Sequence, residues 1–362
     1  MNDSFYSSVG SVYKNRMSTP SPTLPWWRPD QFAARRPFLE IRQRVLRALR
    51  STFEAQNFDE VETPALQISP GNETHLHAFK TVFVDPHAGV KQNYYLHTSP
   101  EFTMKKLLVA GASKIFQLSH VFRNGERSSR HHPEFSMLEW YRAGATLVEI
   151  KQDCIDLVRA AATAANRKIF AAHGMECDPF GEWETLSVPD AFQRYASIDL
   201  MMTIGDTPAL RQQVEKAGFR ATAEDTWDDL FFRVMGERIE PHLGRLRPTF
   251  LCDYPVSMAA LARPKRDDPR LAERFELYIC GYELANAFDE LIDAPEQKRR
   301  FEADMDEKEK IYGERYPVDA DFIAALTYGM PESAGIALGF DRLVMLCAGT
   351  EDIANVLWAP VA

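Results

Sequence analysis

Arg123, Arg130, His131 and Arg342 each stand beside a turn signal rather than on a helical repeat. Arginine presents a fixed fork of donors suited to phosphate oxygens, and three or four converging cations would hold a triphosphate. Surface ion pairing is the competing explanation for any one of them. The loop between the first three, GERSSRHHP, is basic within an acidic chain and favours phosphate.

A second set is anionic. Glu276, Glu283 and Glu290 recur at intervals of seven around a turn at Gly281. A hairpin there brings Glu276 and Glu283 within reach of one hard cation, and Mg²⁺ takes one or two carboxylates plus phosphate oxygens. On the second strand Asn286 and Glu290 share a face, while Glu283 has the opposite parity. Only a bulge or twist would place Glu283 in their pocket. The alternative is a charged outer face, but LYICGYELANAF is mostly apolar and acids within it need partners. Glu101, Glu139 and Tyr141 lie inside apolar strands or at a helix start; such a set suits a ligand with two amines, one acid for each ammonium. Phe135 shares the strand face of Glu139 and Tyr141. Gly335 and Gly339 before Asp341 and Arg342 form a weak nucleotide signal, since a two-glycine turn is more often packing.

The elements that position these residues follow from periodicity. Residues 1–34 read as a tail, because TPSPTLPWWRP suits neither helix nor central strand; Trp26 and Trp27 are candidates to pin it, and Met17 is a possible second start. From Arg35, Leu39, Val45, Leu46, Leu49 and Phe53 fall at helical spacing. FDEVETPAL, KTVFVD and NYYLHT read as strands, and PEFTMKKLLVAG as a helix stopped by Gly111. KIFQLSHVFR and EFSMLEWYRAG form an antiparallel pair around the basic loop. A helix over 146–172 and a helical insertion over 185–245 come next. PTFLCDYPV, ERFELYICG and YELANAFDEL are strands, APEQKRRFEADMDEKEKIYGERY a solvated helix, and GIALGFDRLVMLCAG a strand, turn and helix. Helices interleaved with antiparallel strands predict an α+β domain over 35–362.

Composition bounds the function. The 362 residues are 45% hydrophobic and 26% charged, which excludes disorder throughout. No apolar run reaches membrane-spanning length, and the N-terminus lacks the apolar core of a secretory signal. Net charge −10 argues against a broad nucleic-acid surface. Five scattered cysteines without a CxxC pair argue against structural zinc or a disulfide framework, and fit a reducing cytoplasm.

Together these segments resemble the catalytic core of class II aminoacyl-tRNA synthetases, in the lysine branch. FLEIRQRVLRALRSTFEAQNFDEVETPAL is similar to the first class II motif, VFRNGERSSRHHPEFSMLEWY to the second and GIALGFDRLVML to the third; TSPEFTMKKLLVAG and YELANAFDEL are similar to the lysine-specific segments. Lysyl-tRNA synthetases carry an OB-fold anticodon domain before the first motif, and about 35 residues are too few for that barrel. HHPEFSMLEWYR, APEQKRRFE and ALGFDRLVML resemble the family of elongation factor P–(R)-β-lysine ligases, whose acceptor is a protein lysine.

The resemblance implies roles. Arg123 would hold the α-phosphate, Arg130 with His131 the γ-phosphate end, and Phe135 with Arg342 the adenine; Asn124, Gly125, His132, Leu284 and Gly339 would line the ATP site. Glu276 and Glu283 would hold Mg²⁺. Glu290, Tyr141 and Asn286 would select the distal ammonium of (R)-β-lysine or lysine, with Glu101 and Glu139 near its other amine and Ser99 and Pro100 beside them. Departures from the family pattern are Gly125 for a glutamate, whose work Glu126 would take over, His132 for asparagine and Ala287 for glycine; Ala337 stands where the tRNA ligases have glycine. The expected partner is elongation factor P, with no stable tRNA binding, no membrane and a homodimer built through the first motif. A truncated tRNA ligase and a non-catalytic regulatory paralogue are the competing expectations.

Overall fold

The computed structural model describes residues 25–87, 89 and 91–361. The strands are β1 Asp59–Glu60, β2 Leu66–Gln67, β3 Lys80–Val84, β4 Lys91–Leu96, β5 Lys114–Phe122, β6 Glu134–Ala143, β7 Phe170–Ala172, β8 Met175–Cys177, β9 Glu184–Ser187, β10 Thr249–Pro255, β11 Leu271–Ile279, β12 Tyr282–Asp289 and β13 Ser333–Gly339. Nine α-helices join them among the described residues. These are α1 Pro29–Ala55, α2 Glu101–Val109, α3 Leu147–Ala164, α4 Val188–Ala196, α5 Thr207–Lys216, α6 Trp227–Val234, α7 Ala294–Tyr312, α8 Ala320–Gly329 and α9 Phe340–Ala348.

Eight strands form one sheet in the order β1-β5-β6-β13-β12-β11-β10-β9. The two outermost pairs, β1 with β5 and β9 with β10, are parallel, and every inner pair is antiparallel. The α+β expectation therefore holds, and among the described residues no barrel forms. One face of the sheet, with Leu138, Trp140, Phe275, Leu277, Ala285, Ala287, Ile336 and Leu338, is buried beneath α1, α3 and α9. That apolar layer is the main core. It leaves the opposite face of the same strands for polar groups.

Some boundaries differ from expectation. Helix α1 begins at Pro29, ahead of Arg35, because proline at a first helical turn lacks only an N–H that would have no partner there. Most of the expected tail, Met17 included, lies outside the described residues; Trp26 is half-buried and Trp27 exposed. Helix α3 stops near Ala165, since Asn166 adopts a left-handed φ of 55°, and the end of the expected helix is strand β7, paired with β8 just after it. The insertion packs α4, α5 and α6 into a second core shared with Leu251 and Tyr254 of β10 and Tyr278 of β11, entered through strand β9, which the periodicity did not mark. Helix α8 was likewise unforeseen. Among the described residues no helix is long and apolar enough to cross a membrane, and all five cysteines are free and buried.

A buried knot ties the first helix to the loop strands. Arg42 of α1 pairs with Asp341, donates to Ser136 Oγ at 2.7 Å, and Asp341 accepts the Ser136 N–H at 2.7 Å.

Candidate functional site

The site occupies the sheet face opposite the main core. Register places Tyr141 against Gly335, Glu139 against Ala337 and Met137 against Gly339; β12 adds Asn286 opposite Ala337 and Phe288 opposite Gly335. On β11, Glu276 faces Asn286 and Arg274 faces Phe288. The next pairs are Leu277 with Ala285 and then Tyr278 with Glu283, so Leu284 is an extra residue. This bulge turns Glu283 onto the face of Asn286, which strict alternation forbids. The turn that makes the hairpin has positive φ at both Cys280 and Gly281, as a two-residue turn matched to strand twist requires.

At one end of this face lie the acids. Glu139, Tyr141 and Glu290 are almost fully buried. Ser99 donates to Glu139 Oε1 at 2.6 Å and Tyr141 to its Oε2 at 3.1 Å, while the Glu101 N–H donates to Ser99 Oγ at 3.0 Å. Pro100 caps α2 and so sets Glu101 at its first turn. Lys105, one turn on, reaches Glu101 Oε1 at 2.5 Å and Glu290 Oε2 at 2.5 Å. Both Glu290 oxygens are buried with no hydrogen-bond partner among the described residues; Oε2 has the ion contact with Lys105, and Oε1 is left over. It lies over Gly335, where a Cβ would stand 2.7 Å from that oxygen and 2.2 Å from the Tyr141 ring. Burial pushes both Glu139 and Glu290 up to about 8; Glu101 adds to this for both, and Lys105 opposes it. The pocket is short of positive charge.

At the other end lie the cations. Arg342 donates to the Glu283 carbonyl at 2.7 Å and sits 2.9 Å from His131 Nε2, while Ser128 Oγ lies 2.8 Å from His131 Nδ1. Burial and then Arg342, Arg130 and Arg123 hold His131 down to about 4, so it is neutral and accepts from Arg342. Glu126, 3.9 Å from Arg123, is the one carboxylate ion-paired with these three arginines among the described residues. Their charge is largely uncompensated. The guanidinium over Phe135 is that of Arg123, 5.3 Å from the ring centre, rather than that of Arg342.

Several expected contributors sit differently. His132 is buried with both ring nitrogens committed to backbone, one to the Glu134 carbonyl and one to the Val361 N–H. The Asn124 N–H donates to the His77 carbonyl at 2.7 Å. Gly125 has φ +84°, so the glutamate of the family pattern would be strained there although space is open. Ala287 belongs to the opposite, core face and is remote from this chemistry. Leu284 is buried in the core at the bulge, and Gly339 lies beside the Arg342 side chain.

The two acids expected to hold Mg²⁺ differ in freedom. Glu276 is engaged through Oε1 by Arg274 at 2.5 Å and through Oε2 by Tyr254 and Tyr278 at 2.6 and 2.7 Å. Glu283 takes no side-chain partner among the described residues; it keeps solvent access, and crowding by the surrounding protein followed by the charge of Glu276 holds it above the usual carboxylate range. Such a carboxylate fits a divalent cation that also binds phosphate oxygens; Glu276 would have to release a donor to join it.

Lys105, Arg274 and Gly335 are the contributors that the sequence reading missed in these roles. Lys105 is four residues after Glu101 on a helix, and that spacing was the available signal. Arg274 alternates with Glu276 on one strand, and stacks over Tyr254 at 4.1 Å. The need for glycine at 335 shows only once the register is known.

Comparison with known proteins shows the family of the chain. The family model for class II tRNA synthetases (D, K and N) matches residues 32–361. The "Elongation factor P--(R)-beta-lysine ligase" of Salmonella paratyphi B (strain ATCC BAA-1250 / SPB7) is 38% identical over 333 residues, covering 91% of this chain and 96% of the relative. The protein of the same name from Pectobacterium carotovorum subsp. carotovorum (strain PC1) is 38% identical with the same coverage. The chain belongs to the class II tRNA synthetase family, within the group of the elongation factor P–(R)-β-lysine ligases.

Proposed function

We propose that this protein activates (R)-β-lysine or lysine with ATP and transfers it to a lysine of elongation factor P. The observation that carries the substrate class is the partnerless Glu290 Oε1, buried over Gly335 beside Tyr141. A neutral side chain would leave that oxygen unsatisfied, whereas an ammonium matches both its charge and its lone pairs. The uncompensated arginines around His131 supply the complementary end for a triphosphate.

In the first step the substrate carboxylate attacks the α-phosphorus in line; an O–P bond forms as the bond to pyrophosphate breaks. Arg123 stabilises charge on the α-phosphate, and Arg130 and Arg342 hold the departing end. Mg²⁺, held by Glu283 with Glu276 behind it, would supply further neutralisation of the phosphates. In the second step the deprotonated amine of the acceptor attacks the acyl carbon, and AMP leaves with the electrons of the broken C–O bond. The protein acts in the cytoplasm as a homodimer. A net charge of −10 gives no long-range attraction to tRNA, which supports a protein acceptor.

Incubation with ATP, each amino acid, elongation factor P and tRNA, followed by mass spectrometry, tests the reading. Mass gain on the protein factor is expected. Gain on tRNA alone would favour a tRNA ligase, and no gain with no pyrophosphate exchange a regulatory paralogue.

A further inference from the structure

Lys105 takes no part in either chemical step, yet it stands at the centre of the acidic end. It is 1% exposed. A lysine so deeply buried keeps its charge only if anions surround it. Its ammonium touches two, Glu101 on its own helix and Glu290 at the end of β12, each at 2.5 Å. Strand β6 adds Glu139 and Tyr141, and Asp289 lies next to Glu290 in sequence. Helix α8, packed against α2, brings Asp319 and Asp321, which pair with Lys106 at 2.9 and 2.8 Å.

We propose that Lys105 is a built-in counter-ion that sets the charge of the amine pocket and turns Glu290 for substrate. Three carboxylates, Glu101, Glu139 and Glu290, share the pocket, and so many cannot all ionise unaided. One fixed ammonium offsets one of them. When a diamino acid enters, its two ammonium groups draw the protons off Glu139 and Glu290, and the two net negative charges that Lys105 leaves then match them one to one. The geometry adds orientation: Lys105 takes Oε2 of Glu290 and leaves Oε1 facing Tyr141 and Gly335. Burial opposes the charge on Lys105, but Glu101 and Glu290 outweigh it and hold the ammonium above its ordinary range. The lysine thus stays cationic wherever the substrate does. Without it Glu290, already pushed up to about 8, would rise further, and fewer molecules would be ready to receive an ammonium near neutrality.

This assignment rests on the diamino-acid reading above, and amino-acid-dependent ATP–pyrophosphate exchange separates the two. Absence of such exchange in the wild-type protein would overturn the reading itself. With exchange established, Lys105→Gln removes the charge while its amide still donates to a carboxylate. The amino-acid KM should rise about tenfold or more, and the acidic limb of kcat/KM should move up by about one pH unit. The ATP KM should stay within about twofold, and Lys105→Arg should return the limb to its wild-type position. A wild-type limb and amino-acid KM in Lys105→Gln would overturn the proposal. So would equal losses toward ATP and amino acid without rescue by arginine, which mark a merely structural lysine. If Lys105→Gln does not fold, Lys105→Arg decides alone: an unshifted limb supports the proposal and a shifted one sinks it.

Discussion

Glu290 offers one oxygen to Lys105 and keeps the other for a ligand, so neutralising it should be felt at the amine end of the site and not at the ATP end. Glu290→Gln is expected to lower lysine activation by roughly a hundredfold or more, on the order of 3 kcal/mol, while ATP binding persists. Unchanged exchange kinetics would remove Glu290 from the pocket. At the opposite end, Glu126 is held only at 3.9 Å from Arg123 and is free to turn toward the nucleotide. Glu126→Ala should raise the ATP KM about tenfold, about 1.4 kcal/mol, and Arg123→Ala considerably more. A silent Glu126→Ala would show that no side chain replaces the family glutamate. The identities of these residues were readable because charge inside apolar strands is conspicuous. Lys105 escaped notice because a lysine after Glu101 reads equally well as a solvated helix pair, and only burial tells the two apart.

Strand β12 shows what an element adds. Parity assigned Asn286 and Glu290 one face and Glu283 the other, and the extra Leu284 reverses the last assignment. A bulge leaves no compositional mark in GYELANAF, so that part of the site could be stated only as a condition. Strand β13 illustrates the same limit. Gly335 looked like packing, and it is packing, but what packs there is Tyr141 and Glu290. Gly335→Ala would place a methyl 2.2 Å from the Tyr141 ring, far inside contact distance. We expect a stability loss of about 1–3 kcal/mol by denaturant titration, with lysine activation lost before ATP binding. A variant that retains the wild-type lysine KM would mean that the pocket floor yields.

For the molecule as a whole, the site is a store of bound protons. Glu139 and Glu290, at about 8, lie well above unfolded carboxylates, burial being the first cause in each. Between the unfolded and folded values the native state therefore binds more protons than the unfolded chain. Stability must then fall as pH rises through this window, opposite to the usual behaviour of ion-paired carboxylates. Calorimetry from about pH 6 to about pH 9 should show the melting temperature dropping by roughly a few degrees, and lysine with ATP should reduce that slope. A melting temperature that climbs over this range would refute the assignment of these acids as protonated.

Arg42, Asp341 and Ser136 join α1, α9 and β6 in one buried contact, and Asp341 immediately precedes Arg342. The long first helix therefore has no private route to opening: releasing its middle exposes a paired charge and disturbs the strand that carries Glu139. Amide protons around Arg42 should exchange with solvent as slowly as those of β6, in one cooperative unit, although α1 lies at the start of the described chain. Deuterium uptake that frees α1 while β6 stays protected would show that the knot does not couple them.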